Sequence, residues 1–272
     1  ADKIVHTGDT DTAIRFSGAD TITAETGGSE RIRIDSSGKV NIGNTGSSWV
    51  GPLSIGSGAS GAAQVLQLYS NSDTYGAIFF GDADSGAGRY VGDISYYHDN
   101  NYMKFSTSGS ERLRIDSSGH MGLGVTPNGN WPTNADFKAL QIGTGACVFG
   151  RGSGDEDRGG IAVNYYHTGS AEKYLANGNA SGIIFSDGEI ELFTAGANSS
   201  GADAAMSKTT PMRIDSSGRI GINATPSDFN SAADDLVVRG DNINTGITIM
   251  TTNGGLNTSV VFADGTSGGA DF

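Results

Sequence analysis

Acidic side chains grouped in short polar segments are the clearest candidates for a chemical role in this chain. The groups are Asp9/Asp11, Asp82/Asp84 and Asp155/Glu156/Asp157. Loop carboxylates are common ligands of Ca²⁺, which takes about six to eight oxygen atoms. Their spacing matches neither an EF-hand loop nor a glycine-rich calcium repeat. We therefore interpret these groups as solvated loop residues and expect no bound metal.

The other reactive residues also lack the spacing of a site. The histidines show neither His-x-His nor His-Glu-x-x-His spacing, although one histidine per chain on a threefold axis could build a three-nitrogen metal site. They are His6, His98, His120 and His167. The single cysteine, Cys147, has apolar neighbours and is predicted to be a buried, inert thiol. The glycine-rich segment 150–154 lacks lysine and precedes acidic residues, a pattern unsuited to binding phosphate. We predict no catalytic site, no cofactor and no enzymatic activity.

Aromatic residues supply a second kind of chemistry, because their rings can pack between chains or stack on sugar rings. Packing between chains is the simpler interpretation. Strand alternation predicts that one tyrosine of each Tyr-Tyr-His segment faces outward. Trp131 precedes Pro132 and is expected in a connecting loop. The sequence assigns no ligand-binding residue among this set: Tyr96, Tyr97, Tyr165, Tyr166, Tyr174, Trp49 and Trp131.

Internal repetition is the strongest signal in the chain. Segments 31–43, 112–124 and 212–223 share an Arg-Ile-Asp-Ser-Ser-Gly core followed by alternating apolar residues. Their spacing of about 80–100 residues is too long for one coil of a solenoid, which takes about 20–45 residues. Each copy is instead predicted to be part of a small β-module.

Each copy predicts a β-hairpin with a defined turn. Apolar residues alternate on both sides of Asp-Ser-Ser-Gly, as in half-buried strands. The aspartate can accept backbone N–H bonds, and the glycine can adopt the left-handed conformation that closes the turn. Arg33, Arg114 and Arg213 are expected to lie beside these carboxylates as solvated charges rather than as catalytic partners. The predicted structural turn residues are Asp35, Ser36, Gly38, Asp116, Ser117, Gly119, Asp215, Ser216 and Gly218.

Composition narrows the class of protein. The chain has 272 residues with 43 glycines, roughly twice the average glycine usage, without the period of collagen. Glycine spread in this way favours many turns and short strands. The formal net charge is −13, which opposes binding to nucleic acid and anionic lipid. No apolar run is long enough to span a membrane, and no signal peptide is visible at the N-terminus. One thiol is compatible with assembly in a reducing cytoplasm.

These features predict an all-β chain built as an elongated array of small modules. The predicted boundaries are 1–46, 47–127, 128–226 and 227–272, the last being the start of a truncated module in a longer protein. Apolar pairs at strand spacing follow each hairpin: Leu53/Ile55, Leu140/Ile142 and Leu236/Val238. A two-stranded hairpin is only marginally stable alone. We therefore predict that several chains bury these faces together, as a parallel, intertwined homotrimer. The sequence pattern itself does not give the number of chains.

The repeat resembles a known motif. Segment 111–127, which reads ERLRIDSSGHMGLGVTP, resembles the repeat of marine bacteriophage tail fibres, and residues 2–16 resemble a segment common in those fibres. The resemblance implies a β-structured trimeric shaft in the virion, assembled in the host cytoplasm with other tail proteins. It also implies a role in host attachment, with a host-surface glycan as a candidate partner. Nothing in the chain resembles the self-cleaving chaperone domain that often follows such shafts.

Two other functions stay open on the sequence alone. A cell-made extracellular filament or adhesin could be assembled from the same modules. A polysaccharide-degrading tailspike would need two carboxylates about 5–10 Å apart in a groove, and the chain lacks the regular short coils of a β-helix.

Overall fold

The computed structural model describes residues 3–43, 51–56, 65–133, 136–151, 157–229 and 235–240. The described residues form an all-β structure of twenty-one strands, which confirms the predicted class. They contain two short 3-10 helices, Gly86–Tyr90 and Pro226–Asp228, and no α-helix. The chain divides into two compact units, Ala1–Tyr69 and Ser70–Phe272.

The first unit contains a six-stranded sheet in simple sequence order. Strands β1 to β5 pair antiparallel with their neighbours, whereas β6 pairs with β5 in parallel. A connection that crosses one face of the sheet is needed to make a parallel pair. The strands are β1 (Lys3–His6), β2 (Asp9–Gly18), β3 (Thr21–Thr26), β4 (Ser29–Ile34), β5 (Val40–Ile42) and β6 (Leu53–Ile55).

The second unit contains a thirteen-stranded sheet and a two-stranded sheet of β15 and β16. Its first strands are β7 (Tyr75–Phe80), β8 (Gly92–Tyr97), β9 (Tyr102–Thr107), β10 (Ser110–Ile115), β11 (Met121–Leu123), β12 (Phe137–Ile142) and β13 (Ala146–Arg151). The remaining strands are β14 (Arg158–Val163), β15 (Tyr166–His167), β16 (Glu172–Lys173), β17 (Gly178–Ser186), β18 (Glu189–Asn198), β19 (Lys208–Ile214), β20 (Ile220–Ile222) and β21 (Leu236–Val238).

One six-stranded arrangement occurs three times. The first repeat is β1–β6, the second is β7–β12, and the third is β14 followed by β17–β21, with β13 between the second and third. Each repeat has four antiparallel pairings followed by one parallel pairing. The predicted boundaries at 46/47, 127/128 and 226/227 fall between the fifth and sixth strands of these repeats. They therefore separate each sixth strand from the hairpin with which it pairs.

The three hairpin turns have the same geometry. In each, the aspartate Oδ1 accepts N–H bonds from the residues two and four positions later, over 2.9–3.0 Å. The turn glycine has a positive φ in every copy, +77° at Gly38, +79° at Gly119 and +83° at Gly218. Only glycine takes this conformation without strain, so the local sequence is sufficient to define the turn.

The chain crosses over the fifth strand at a position where the second and third repeats have glycine. A Cβ atom on Gly122 would lie 2.0 Å from the carbonyl oxygen of Val125, and one on Gly221 would lie 2.3 Å from that of Ala224. The first repeat has Asn41 at this position, fully buried. The glycines therefore allow the crossover to approach the sheet closely before the parallel sixth strand.

One face of all three repeats is apolar and uncovered within the chain. Directly paired residues form a row across each repeat, and every position in that row is apolar. The rows are Ile4, Ile14, Ala24, Ile32, Ile42 and Ile55; Ile78, Ile94, Phe105, Leu113, Leu123 and Ile142; and Ile161, Ile183, Leu192, Met212, Ile222 and Val238. We call this surface the apolar face. Its side chains range up to 64% exposed at Ile4 and 59% at Ile161.

The opposite face of the third repeat and β12–β13 carries the hydrophobic core. Phe137 stacks on Phe149 with ring centroids 5.9 Å apart, and Phe149 stacks on Tyr165 at 5.5 Å. Tyr165 and Tyr166 are both buried, so the prediction that one of them faces outward is wrong. The reason is local: the chain turns at Asn164, which has φ +53°, and strand alternation ends there.

Several glycines inside strands lie under aromatic rings of the neighbouring strand. A Cβ atom on Gly160 would lie 2.9 Å from the ring of Phe149, its direct partner. One on Gly182 would lie 2.7 Å from the ring of Phe193. Part of the high glycine content therefore serves close packing of rings against the sheet, in addition to turns.

Candidate functional site

The repeated arginines pair with glutamates and not with the turn aspartates beside which they were expected. Arg33 and Arg114 each make two hydrogen bonds to a glutamate three residues earlier, Glu30 and Glu111. The third repeat has Thr210 at the glutamate position, and Arg213 pairs instead with Glu189 and Glu191. All three arginines are half-buried rather than fully solvated. Their pairing is an element of the repeated fold.

The acidic clusters differ in their local surroundings. Asp9 Oδ1 accepts N–H bonds from Asp11 and Thr12, and the hydrogen bond between the Asp9 and Asp11 side chains lowers the pKa of Asp9 and raises that of Asp11. Asp82 and Asp84 are exposed near the first 3-10 helix. Asp155 and Glu156 lie outside the described residues. In the part of the chain that the structure describes, no three His, Cys, Asp or Glu side chains group closely enough to hold a metal ion.

The histidines occupy four different environments. His6 is exposed, and His98 is half-buried with its ring 5.0 Å from that of Tyr96. His167 Nδ1 accepts the N–H of Gly169. His120 is buried where the crossover returns to β12.

Both ring nitrogens of His120 are used in one neutral tautomer. Nδ1 accepts the N–H of Ala139 over 3.2 Å, and Nε2 lies 2.9 Å from the carbonyl oxygen of Pro132. Since a carbonyl can only accept, Nε2 carries the proton. Burial lowers the pKa of His120, although nearby Asp116 opposes this effect. The ring therefore joins the crossover to β12 in its uncharged form.

Cys147 is buried, as predicted. Its thiol donates to the carbonyl oxygen of Tyr165 over 3.1 Å. Burial raises the pKa of Cys147 to about 12. Because the thiolate is the reactive form, this residue is a packing element and not a nucleophile.

Glu172 and Glu191, two of the three glutamates that line a small cavity of about 280 Å³ beside the third repeat, share one lysine. Lys208 Nζ lies 2.9 Å from Glu172 and 3.0 Å from Glu191, and Arg158 lies 2.8 Å from Glu172. Burial opposes ionisation of Glu191, but Lys208 and Arg213 outweigh it and lower its pKa. A glycoside hydrolase needs one carboxylic acid that stays protonated. Glu191 has the opposite shift, so this pair fits an ionic network better than a hydrolytic site.

Five aromatic residues form a partly exposed patch on the second repeat, on the side opposite the apolar face. Tyr75, Tyr97 and Tyr102 stack across three strands, with centroid distances of 4.8 and 4.6 Å. Phe79 contacts Tyr75 and Tyr90 edge-to-face, at 6.4 and 4.9 Å. We call Tyr75, Phe79, Tyr90, Tyr97 and Tyr102 the aromatic patch.

Polar groups line the base of the aromatic patch. Asp93 lies opposite Phe79 in the strand register, 3.7 Å from Lys104, and accepts a hydrogen bond from Ser95. Burial opposes ionisation of Asp93, but Ser95, Ser106 and Lys104 together lower its pKa. The Arg114 guanidinium lies over the Tyr102 ring, 3.9 Å from its centroid, at the end of the three-tyrosine stack. Charged groups next to the rings are therefore already paired or stacked.

Sequence reasoning identified only Tyr97 among the five residues of the patch. Of the other predicted aromatics, Trp131 lies in the β11–β12 connection as expected but is buried, as is Tyr174. Tyr96 lies on the apolar face and Trp49 lies outside the described residues. The spacing of Tyr75 and Phe79, two strand periods apart, was the available signal for a shared face.

No protein-family model matches the chain, and no curated protein matches it. The described residues include no helix that is long and apolar enough to cross a membrane.

Proposed function

We propose that the chain is a segment of a bacteriophage tail fibre, with structural and adhesive roles in host-surface attachment. In this proposal the repeats follow one another as an elongated array in a parallel homotrimer. The fibre is assembled in the host cytoplasm with other tail proteins and becomes part of the virion. The chain does no catalysis and needs no cofactor.

The apolar face is the observation that carries the proposal. It occurs three times in one chain with every row position apolar, although little of it is covered. The alternate residues on the opposite side differ greatly between repeats: Arg15 in the first corresponds to Ser95 in the second and Ile184 in the third. A surface kept apolar while its neighbours vary indicates a common burial partner.

A second and a third copy of the same chain would supply such a partner, because each copy brings the same apolar face to be buried. Full burial of one isoleucine side chain contributes about 1.5–3 kcal/mol, and contiguous apolar patches of this kind mark association surfaces. Cyclic symmetry closes the assembly and places equal faces together. The resemblance of segment 111–127 to tail-fibre repeats favours three chains and a viral origin.

Absolute mass by light scattering tests the assembly, with and without strong denaturant. We expect a mass of three chains that resists denaturant. Glutamate at Ile161 and Ile183 together should abolish that mass, because charges would be buried without partners. Ser36→Glu adds a charge in an exposed turn and should leave the mass unchanged. A monomeric wild-type chain would contradict the trimer and favour an adhesin-like array, and a polydisperse mass would favour a filament.

A further inference from the structure

The aromatic patch has no counterpart at the same positions of the third repeat. Where the second repeat stacks Tyr75, Tyr97 and Tyr102, the third has Arg158, Ser186 and Glu189 in the same register. Where the second has Phe79, the third has Ala162. Both repeats form the same six strands, so the fold does not need rings at these positions.

Three rings of the patch are substantially exposed to solvent. Tyr75 is 42% exposed, Phe79 43% and Tyr90 47%. Phe79 contacts both Tyr75 and Tyr90, so the three rings form one continuous surface on the edge strand and the adjoining 3-10 helix. The surface lies on the opposite side of the sheet from the apolar face, so burial of the apolar face does not cover it.

The chemistry of the patch fits an uncharged ring with hydroxyl groups. Aromatic faces attract the C–H side of a sugar ring, and tyrosine hydroxyls can both donate and accept hydrogen bonds. Lys104 is paired with Asp93, Arg114 is paired with Glu111, and Arg89 lies over the Tyr90 ring, 5.9 Å from its centroid. An anionic ligand would therefore have to compete with existing ion pairs or with the Tyr90 ring, in a chain of net charge −13. A neutral ligand has no such cost.

We propose that the aromatic patch binds a neutral saccharide. The assignment rests on the proposed attachment function and names its ligand class and position. Three patches per trimer would engage a polysaccharide surface together, so weak single contacts would give strong attachment.

The test measures binding of the full chain to a microarray of neutral glucans, mannans and galactans beside acidic uronates and sialosides. The variant carries Tyr75→Ser and Phe79→Ala, the second of which installs the residue of the third repeat. Tyr69→Ser, at a 92% exposed tyrosine outside the patch, is the matched control. Light scattering and thermal melting on the same samples report mass and folding.

We expect binding to at least one neutral class, weakened about tenfold or more by the double variant and unchanged in the control. Equal binding by wild type and variant would overturn the location, and binding to acidic saccharides alone would overturn the ligand class. Failure to bind any saccharide would also overturn the inference; if the variant then lost mass, the patch would be a contact between chains. A monomeric wild type that binds through the patch would contradict the trimer alone.

Discussion

The second and third repeats have the same strand registers but differ in what covers the face opposite the apolar face. Both present the apolar face, and both have an arginine at the centre of the other face, Arg114 and Arg213. In the third repeat that other face is covered by aromatic side chains from the chain's own connections. In the second it is open and carries the aromatic patch. This difference is what we expect if the apolar face serves assembly, as proposed above, and the other face is free to diverge.

Removing a ring should have very different effects on the two repeats. Phe193→Ala leaves a cavity in a buried cluster and should lower the free energy of unfolding by about 3–5 kcal/mol. Phe79→Ala removes a ring that is 43% exposed and should cost about 1 kcal/mol or less. Urea unfolding measures both values. Equal losses would contradict the distinction between a covered and an open face.

In the second repeat, the crossover should tolerate no side chain at the middle position of the fifth strand. Gly122→Ala places a Cβ atom against the Val125 carbonyl and should cost about 2–4 kcal/mol, because backbone must move. Gly129→Ala, in the same connection but in open space, should change stability by less than about 1 kcal/mol. Thermal melting compares them. A mild effect at Gly122 would show that the crossover lies farther from the sheet.

The repeated turn should contribute modestly and similarly in each copy. Asp116→Ala removes the acceptor of the Ser118 and His120 N–H groups. We expect a loss of about 1–2 kcal/mol in the free energy of unfolding. Ser117→Ala, which removes no such acceptor, serves as the control for urea unfolding. A loss as small as the control's would mean that the glycine alone defines the turn.

Acidification should weaken the crossover through His120, and this is the smallest effect expected. Its pKa in the folded state is lowered, so the unfolded chain binds more protons than the folded chain. The contribution of neutral His120 to the free energy of unfolding is complete above the pKa of histidine in the unfolded chain, about 6.5, and falls as the pH drops below that value. His120→Gln should reduce the difference in melting temperature between pH 7.5 and 5. An unchanged difference would contradict the neutral-tautomer geometry.

Local features of this fold could be predicted from the sequence. Asp35, Asp116 and Asp215 define turns by contacts with the next few residues, and the apolar pair Leu140/Ile142 does form a strand. Long-range features could not be predicted. Parallel pairing of β12 with β11 depends on a crossover whose path the sequence does not show.

Candidate site residues were harder to predict for a similar reason. Tyr165 and Tyr166 sit at the end of a strand, where Asn164 ends the alternation that the prediction assumed. Arg213 takes its glutamates from a neighbouring strand, in place of the one that its own strand lacks. The aromatic patch combines strands β7–β9 and a 3-10 helix, and strand periodicity alone links only Tyr75 with Phe79.

Burial of the apolar face between chains is the central claim, and thiol labelling at Ile161 tests it most directly. Ile161→Cys places a thiol on a side chain that is 59% exposed within one chain. Native Cys147, buried and with a raised pKa, provides the unreactive reference, and Ser36→Cys provides the exposed one. We predict that the folded assembly protects the thiol at position 161 nearly as well as Cys147. Labelling as fast as at position 36 in the folded protein would contradict the claim.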